Sequence, residues 1–317
     1  MANKNVASAY AGLLFAALLW GFMGIFSRSL AHAGIRPMEC AFLRTAVSAL
    51  AMAAVLLVVD RTAFKVKKRD LVLLVVAGLF KLLSDAFLFA SQVKIHLSVS
   101  TVLQMTSPYW VLIMAVILFH EKITLRKLVA TCIAFVGCIF VSGMLNKGIG
   151  GEPLGMAFAL LSGVSYAAYA VSNKVLLDRG MSTNTAMLYI FILSSVIALP
   201  MIDPVHMVNH ISSVRVVLDI LGVGILLTLI PYWLLMNGMK YLSAFKADLI
   251  TVTEVVFAII VGYVFYGEHI GPLGLLGMFL IPFSVMLLSS KVSDVRIANN
   301  TNKRGPQQPA DPPEKDG

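Results

Sequence analysis

The chain has 317 residues, of which 59% are apolar and 13% charged, with a formal net charge of +9 and a mean hydropathy of +0.87. A soluble domain carries roughly a quarter charged residues, so the composition excludes a water-soluble fold and points to a polytopic membrane protein. The basic balance would also suit a nucleic-acid partner, but the positive charge lies in the connections between apolar runs and on one side of them, which makes it a feature of topology rather than of binding.

Membrane-length apolar stretches bounded by charge, Gly or Pro predict ten spans. In chain order they are Val6 to Ser27, Pro37 to Val59, Leu71 to Val93, Leu97 to Phe119, Leu128 to Leu145, Pro153 to Leu176, Ala186 to Ile202, Val216 to Met239, Ala247 to Tyr266 and Leu273 to Leu288. The first is longer than the roughly 7 to 15 residues of a signal-peptide core and more spans follow it, so it reads as a transmembrane helix despite the "AHA" at Ala31 to Ala33. The connections are too short for a soluble domain, and the polar, Pro-rich residues after Asn299 read as a disordered tail. With the amino terminus in the cytoplasm, that side gathers Lys4, the cluster from Arg61 to Arg69, Lys122, Arg126, Lys127, Lys174, Arg179, Lys240, Lys246 and the basic residues of the tail. The other side has only Arg28, Arg36, Lys94, Lys147 and Arg215. Both termini are therefore expected to be cytoplasmic, in the cell membrane.

Sliding the chain against itself gives an echo at a shift of 146 to 147 residues. Leu30 and Gly34 fall on Leu176 and Gly180, and "LFHEKI" at Leu118 to Ile123 falls on "FYGEHI" at Phe265 to Ile270, pairing Glu121 with Glu268. Residues 1–147 and 148–292 then form two five-span units, followed by a cytoplasmic tail, 293–317. An odd number of spans per unit turns the second upside down. The expected fold class is thus an all-α integral membrane protein of ten helices in two inverted repeats, the architecture of carriers whose substrate site lies near the midplane.

Polar residues inside the spans supply the candidate site. A Lys or Asp at a helix centre costs about 2.5 to 3.5 kcal/mol on insertion scales, so such residues mark a partner or a wet cavity. Lys81 and Asp85 share a face of the third span at i, i+4 and could simply neutralise each other. Glu254 in the ninth span and Arg44 in the second complete a set of four charges that sums to zero. Trp20 repeats as Tyr166 and Asp85 as Tyr232, while Gln104 and Tyr109 lie beside Pro108. Lys81, Asp85, Glu254, Trp20, Gln104, Tyr109, Tyr166 and Tyr232 are the candidate substrate contacts. Lys81 is expected to bind a substrate carboxylate, and Glu254 or Asp85 an ammonium group or a proton. Pro108, Pro231 and Pro282 each remove a backbone hydrogen bond within a span; the first two, with Arg44, Glu121 and Glu268, are candidate hinge or gating positions.

Cys40, Cys132 and Cys138 all lie in apolar runs and read as small core residues, not as a disulfide framework or metal site. There is no GxxxxGK[ST] loop, HExxH or GxSxG motif, so neither a cofactor nor an enzymatic reaction is expected. The expected partners are a small-molecule substrate, protons and membrane lipids.

The "LLWG" ending at Gly21, "FLR" at Phe42 to Arg44, Pro108 followed by an apolar stretch and "HE" at Glu121, and "YGE" at Glu268 resemble the drug/metabolite transporter superfamily, specifically its EamA-type members. The resemblance covers Ala7 to Leu288 and implies a secondary transporter, often an exporter of amino acids or other metabolites, working by alternating access without ATP. It marks Glu121 and Glu268 at helix ends. An exporter of lipophilic cations is the alternative, and a receptor or membrane enzyme ranks below both. One departure is that Val255 stands where the first half has Pro108, preceded by Glu254 in place of Ser107, so the ninth span is expected to lack the kink of the fourth.

Overall fold

A computed structural model describes residues 2–142, 152–267 and 270–288, and among them there are helices and turns but no β-strand. The first span consists of Ala2–Gly21 and Met23–His32, the second of Pro37–Val59 and the third of Lys68–Gln92. The fourth is divided into Leu97–Gln104 and Ser107–Phe119, and the fifth is Leu125–Val141. In the second half the sixth is Pro153–Asp178 and the seventh Thr183–Ala198. The eighth runs through Val214–Leu221, a π-helical stretch Gly222–Leu229 and Ile230–Gly238. The ninth is Ala244–Thr251 with Glu254–Tyr266, and the tenth is Pro272–Leu288. Eight of these are long and apolar enough to cross a membrane. The fifth and tenth are described over 17 residues each. Glu268, Lys147 and the tail from residue 293 lie outside the described residues.

The repeat is visible in backbone detail. Gly34 and Gly180 both adopt a left-handed conformation, with φ of 89° and 81°. Each closes its helix with the same bonds, Gly34 N–H to Ala31 O and Ile35 N–H to Leu30 O in one half, Gly180 N–H to Leu177 O and Met181 N–H to Leu176 O in the other. Glycine carries no Cβ to clash there, which is why this turn recurs at the same register.

Packing between the halves is reciprocal. The first span packs on the eighth and ninth, and the sixth on the third and fourth; the second packs on the seventh and eighth, and the seventh on the second and third. The fifth and tenth pack on each other. That exchange of partners is what a twofold relation between two five-span units produces. One large apolar core joins both halves, while Val58, Leu125, Phe279 and Met286 are among the large apolar side chains left on the outside, as suits a surface solvated by lipid chains.

Polar contacts tie the bundle at both ends. At the end that carries Ala2, Arg179 pairs with Asp70 at 3.7 Å and Tyr189 donates to the Phe64 carbonyl at 2.8 Å. At the other end, Glu39 meets His206 at 2.9 Å, Arg36 meets Asp203 at 3.9 Å and Lys94 meets Glu152 at 2.8 Å. The backbone N–H of His206 holds the Asp203 carboxyl below the usual carboxylate range, aided by the nearby Arg36 charge.

The ninth span corrects one expectation, since it is broken at the same register as the fourth although Val255 replaces Pro108. Thr106 donates its hydroxyl to Leu103 O and Thr253 donates its own to Ile250 O, each at 2.7 Å. A threonine bonding back to its own helix diverts the carbonyl ladder and tightens the turn. The proline in the fourth span is thus not needed for the break.

Candidate functional site

Where the halves meet, a cavity of about 460 Å³ lies at the junction of the two broken spans. That is enough for a small organic molecule. Trp20, Arg44, Asp85, Gln104, Tyr166, Tyr232 and Glu254, all singled out from the sequence, line it. So do Ser107, Asp248 and Thr251 near the breaks, and Ser27, Arg28, Gln92 and His96 toward the end of the bundle remote from Ala2.

A buried ion triad forms one wall. Lys81, with 0% exposure, is bonded to Asp85 Oδ2 and lies 4.7 Å from the centre of the Tyr232 ring. Arg44 reaches Asp85 Oδ1 through an Nη at 3.3 Å and donates its Nε to Thr228 Oγ1 at 3.0 Å. Asp85 is therefore held between two cations. Losing Asp85 would leave two buried cations uncompensated, at a cost of about 3 to 5 kcal/mol. Asp85 and Arg44 line the cavity, whereas Lys81 stands behind Asp85 and is not part of the lining.

The aromatic wall is organised by Pro231. With no N–H, that proline leaves the carbonyl four residues earlier without its helical donor, and Trp20 Nε1 donates to that carbonyl, Leu227 O, at 3.1 Å. Trp20 then meets Tyr232 edge-on at 5.1 Å, and Tyr232 meets Tyr169 at 5.6 Å and Phe191 at 6.2 Å. Pro231 thus lies beside the Trp20 contact, immediately after the π-helical stretch. Pro282, by contrast, lies inside a helix that runs unbroken from Pro272 to Leu288.

Another part of the lining is acidic. Asp248 is 1% exposed and accepts from Ser107 Oγ at 3.1 and 3.3 Å. Glu254 stands at the first position of its half-helix, where a carboxylate complements the helix dipole, and has no hydrogen-bond or ion-pair partner among the described residues. Gln104 donates to Ser162 Oγ at 3.1 Å, which in turn donates to Ser84 O at 2.8 Å. Gly163 lets the sixth span approach this break, since a Cβ there would lie 2.9 Å from Gln104 O.

Tyr109 and Pro108 lie off the lining, Tyr109 packing against Phe135 at 5.9 Å and Pro108 buried in its half-helix. Glu121 accepts from Lys127 Nζ at 2.6 Å beside the far end of the fourth span, away from the cavity. Asp248 was missed by sequence reasoning. Its signal was a carboxylate in "KADLI", six residues before Glu254, but a ninth span begun at Ala247 makes it look like a helix-end charge. The described residues hold no group of three or more His, Cys, Asp or Glu able to bind a metal ion.

Two reciprocally packed helical units around a polar, charged cavity, with an apolar exterior, define a multi-pass membrane transporter. Residues 7–143 and 153–290 each match the model of the EamA-like transporter family, and the chain belongs to that family. It is 26% identical over 221 residues to an uncharacterized transporter of Archaeoglobus fulgidus, spanning 69% of this chain and 75% of that one. Uncharacterized transporter YxxF of Bacillus subtilis is 23% identical over 298 residues, 91% of either chain. A protein of known crystal structure, 15% identical, superposes with a TM-score of 0.73 over 89% of this chain and 96% of its own, a likeness of fold.

Proposed function

We propose that the chain is a secondary active transporter that exports small amino-bearing organic metabolites, amino acids foremost, across the cell membrane by alternating access. The observation that carries this reading is the pairing of unequal walls in one cavity. A guanidinium has five N–H donors, and Arg44 uses two of them on described partners, Thr228 and Asp85. The rest suit a substrate carboxylate. Glu254, unpaired, suits an ammonium group, and it lines the same cavity as Arg44. Trp20, Tyr166 and Tyr232 would cover the organic part. This assigns the carboxylate contact to Arg44 in place of Lys81, whose role becomes holding Asp85. Asp248 or Glu254 would exchange the coupling proton. Export follows from the family resemblance, and cytoplasmic termini from the distribution of Lys and Arg; the cavity would then face outward.

A second reading, export of lipophilic cations, draws support from the same three aromatics beside two carboxylates, a setting that favours a cation through its ring faces. Counterflow of labelled amino acids and organic cations into proteoliposomes separates the two, comparing wild type with Arg44→Lys and Glu254→Gln, each monodisperse in detergent. Amino-acid exchange lost in both variants supports the first reading. Cation exchange that survives Arg44→Lys but not Glu254→Gln favours the second. Wild-type exchange of either class in both variants overturns the site.

A further inference from the structure

The cavity reaches a face of the first span formed by Trp20, Met23, Gly24 and Ser27. A shift of 146 residues carries these onto Tyr166, Tyr169, Ala170 and Asn173 of the sixth span. The same face is open in one half and shut in the other, since Tyr169, Ala170 and Asn173 are 1%, 0% and 0% exposed. Asn173 makes the contrast chemical. Its amide oxygen is buried with no hydrogen-bond partner among the described residues, and its amide nitrogen has only the Tyr169 hydroxyl, one turn earlier, to face. A buried amide whose oxygen is unpartnered has lost its water and gained little in return, so it calls for a specific explanation.

We infer that Asn173 lines the substrate's entry path in an inward-facing cavity, formed when the two halves exchange conformations. The inference rests on the alternating-access reading proposed for this chain. In an inverted-repeat carrier one half rocks against the other, so positions equivalent to the wet face of the first span become wet in the opposite state. Asn173 then meets water and substrate, and its amide, donor and acceptor at once, can bond either end of a zwitterion. The latch that keeps this path shut is next to it. Lys174, the equivalent of Arg28 at the open mouth, donates Nζ to Met239 O at 3.1 Å and pairs with Asp178 at 2.9 Å, fastening the sixth span to the turn between the eighth and ninth.

The test uses the full chain with Cys40, Cys132 and Cys138 replaced by serine or alanine, carrying either Ser27→Cys or Asn173→Cys, purified in detergent and alkylated with a maleimide. Adding Lys174→Ala should speed Asn173→Cys labelling about fivefold, the shift that loss of one such hydrogen bond gives a two-state equilibrium, and slow Ser27→Cys labelling. Adding Gly24→Trp, which fills the open side where a Cβ meets nothing within 4 Å, should do the reverse. If Ser27→Cys responds to these changes while Asn173→Cys stays unreactive, the halves move but Asn173 stays dry. The inference is then overturned and alternating access stands. An increase at Asn173→Cys with Ser27→Cys unchanged is local opening and overturns it too. If neither site responds to either change, alternating access fails and the inference fails with it.

Discussion

The fourth and ninth spans break at the same register by different means. Both carry the threonine that bonds back to its own helix, Thr106 and Thr253, and both restart with a tightened turn, Tyr109 N–H to Thr106 O and Val256 N–H to Thr253 O, each at 3.0 Å. They differ at the next two positions. In the fourth span Pro108 has no N–H to satisfy, while in the ninth Val255 N–H finds Val252 O at 3.1 Å. Ser107 reaches across to Asp248 of the other half, whereas its equivalent, Glu254, keeps its carboxylate for the cavity. The shared threonine thus carries the geometry, and the differing residues carry the chemistry. A proline at one break is one solution to the orphan-donor problem at a helix start, not its cause.

Making the two breaks alike tests that division, and the largest effect is expected where the chemistry is removed. Glu254→Ser, which gives the ninth span the residue of the fourth, should reduce substrate exchange in proteoliposomes at least about thirtyfold. That corresponds to the roughly 2 to 5 kcal/mol lost when one partner of a buried charge contact is truncated. Ser107→Ala should do less. It leaves Asp248 without its hydroxyl partner, a loss of about 1 to 2 kcal/mol, the lower part of the range for a buried polar group, expected as a roughly five- to thirtyfold fall in exchange, while Ser107→Thr retains most of it. Equal exchange in Ser107→Ala and wild type would detach Asp248 from the transport cycle.

Much of this is legible in the sequence, and what is not has physical causes. Length and hydropathy located the spans, because the bilayer imposes a length that the apolar runs must meet. The constant shift revealed the repeat, and depth along each span brought Trp20, Arg44, Asp85, Tyr166, Tyr232 and Glu254 to one cavity. Rotation about a helix axis is not set by spacing alone. The i, i+4 pair Lys81 and Asp85 share a face by geometry, but which member lies nearer the cavity depends on what packs against the third span. Here Arg44 and Tyr232 take the two sides of that face. The break in the ninth span is invisible to a reading that takes proline as the signal; threonine stands at the equivalent position in both halves.

If the threonine governs the break, installing the proline should be mild. Val255→Pro removes one bond, Val255 N–H to Val252 O, at the second position of a helix where proline's fixed φ is already suited. It is expected to destabilise the protein by about 1 kcal/mol in thermal unfolding in detergent. Val261→Pro in the same half-helix should lose about 3 kcal/mol or more. Equal losses would mean that the ninth span is a continuous helix strained at Thr253.

The smallest effect concerns the far ends of the two half-helices, where the repeat again uses one backbone shape with two residues. His120 and Gly267 close them in the left-handed conformation, with φ of 53° and 62°. A side chain there costs about 1 to 2 kcal/mol, which glycine avoids while giving back part of the gain through the greater freedom of its unfolded chain. His120→Gly should therefore stabilise by about 0.5 kcal/mol net, and Gly267→Ala should destabilise by about 1 kcal/mol, both seen as shifts of the unfolding transition in detergent. The signs are opposite because the same turn is relieved in one half and burdened in the other. If His120→Gly instead lowered the transition, the His120 side chain would be making a contact worth more than the strain of its backbone, and the two helix ends would be alike in shape but not in what holds them.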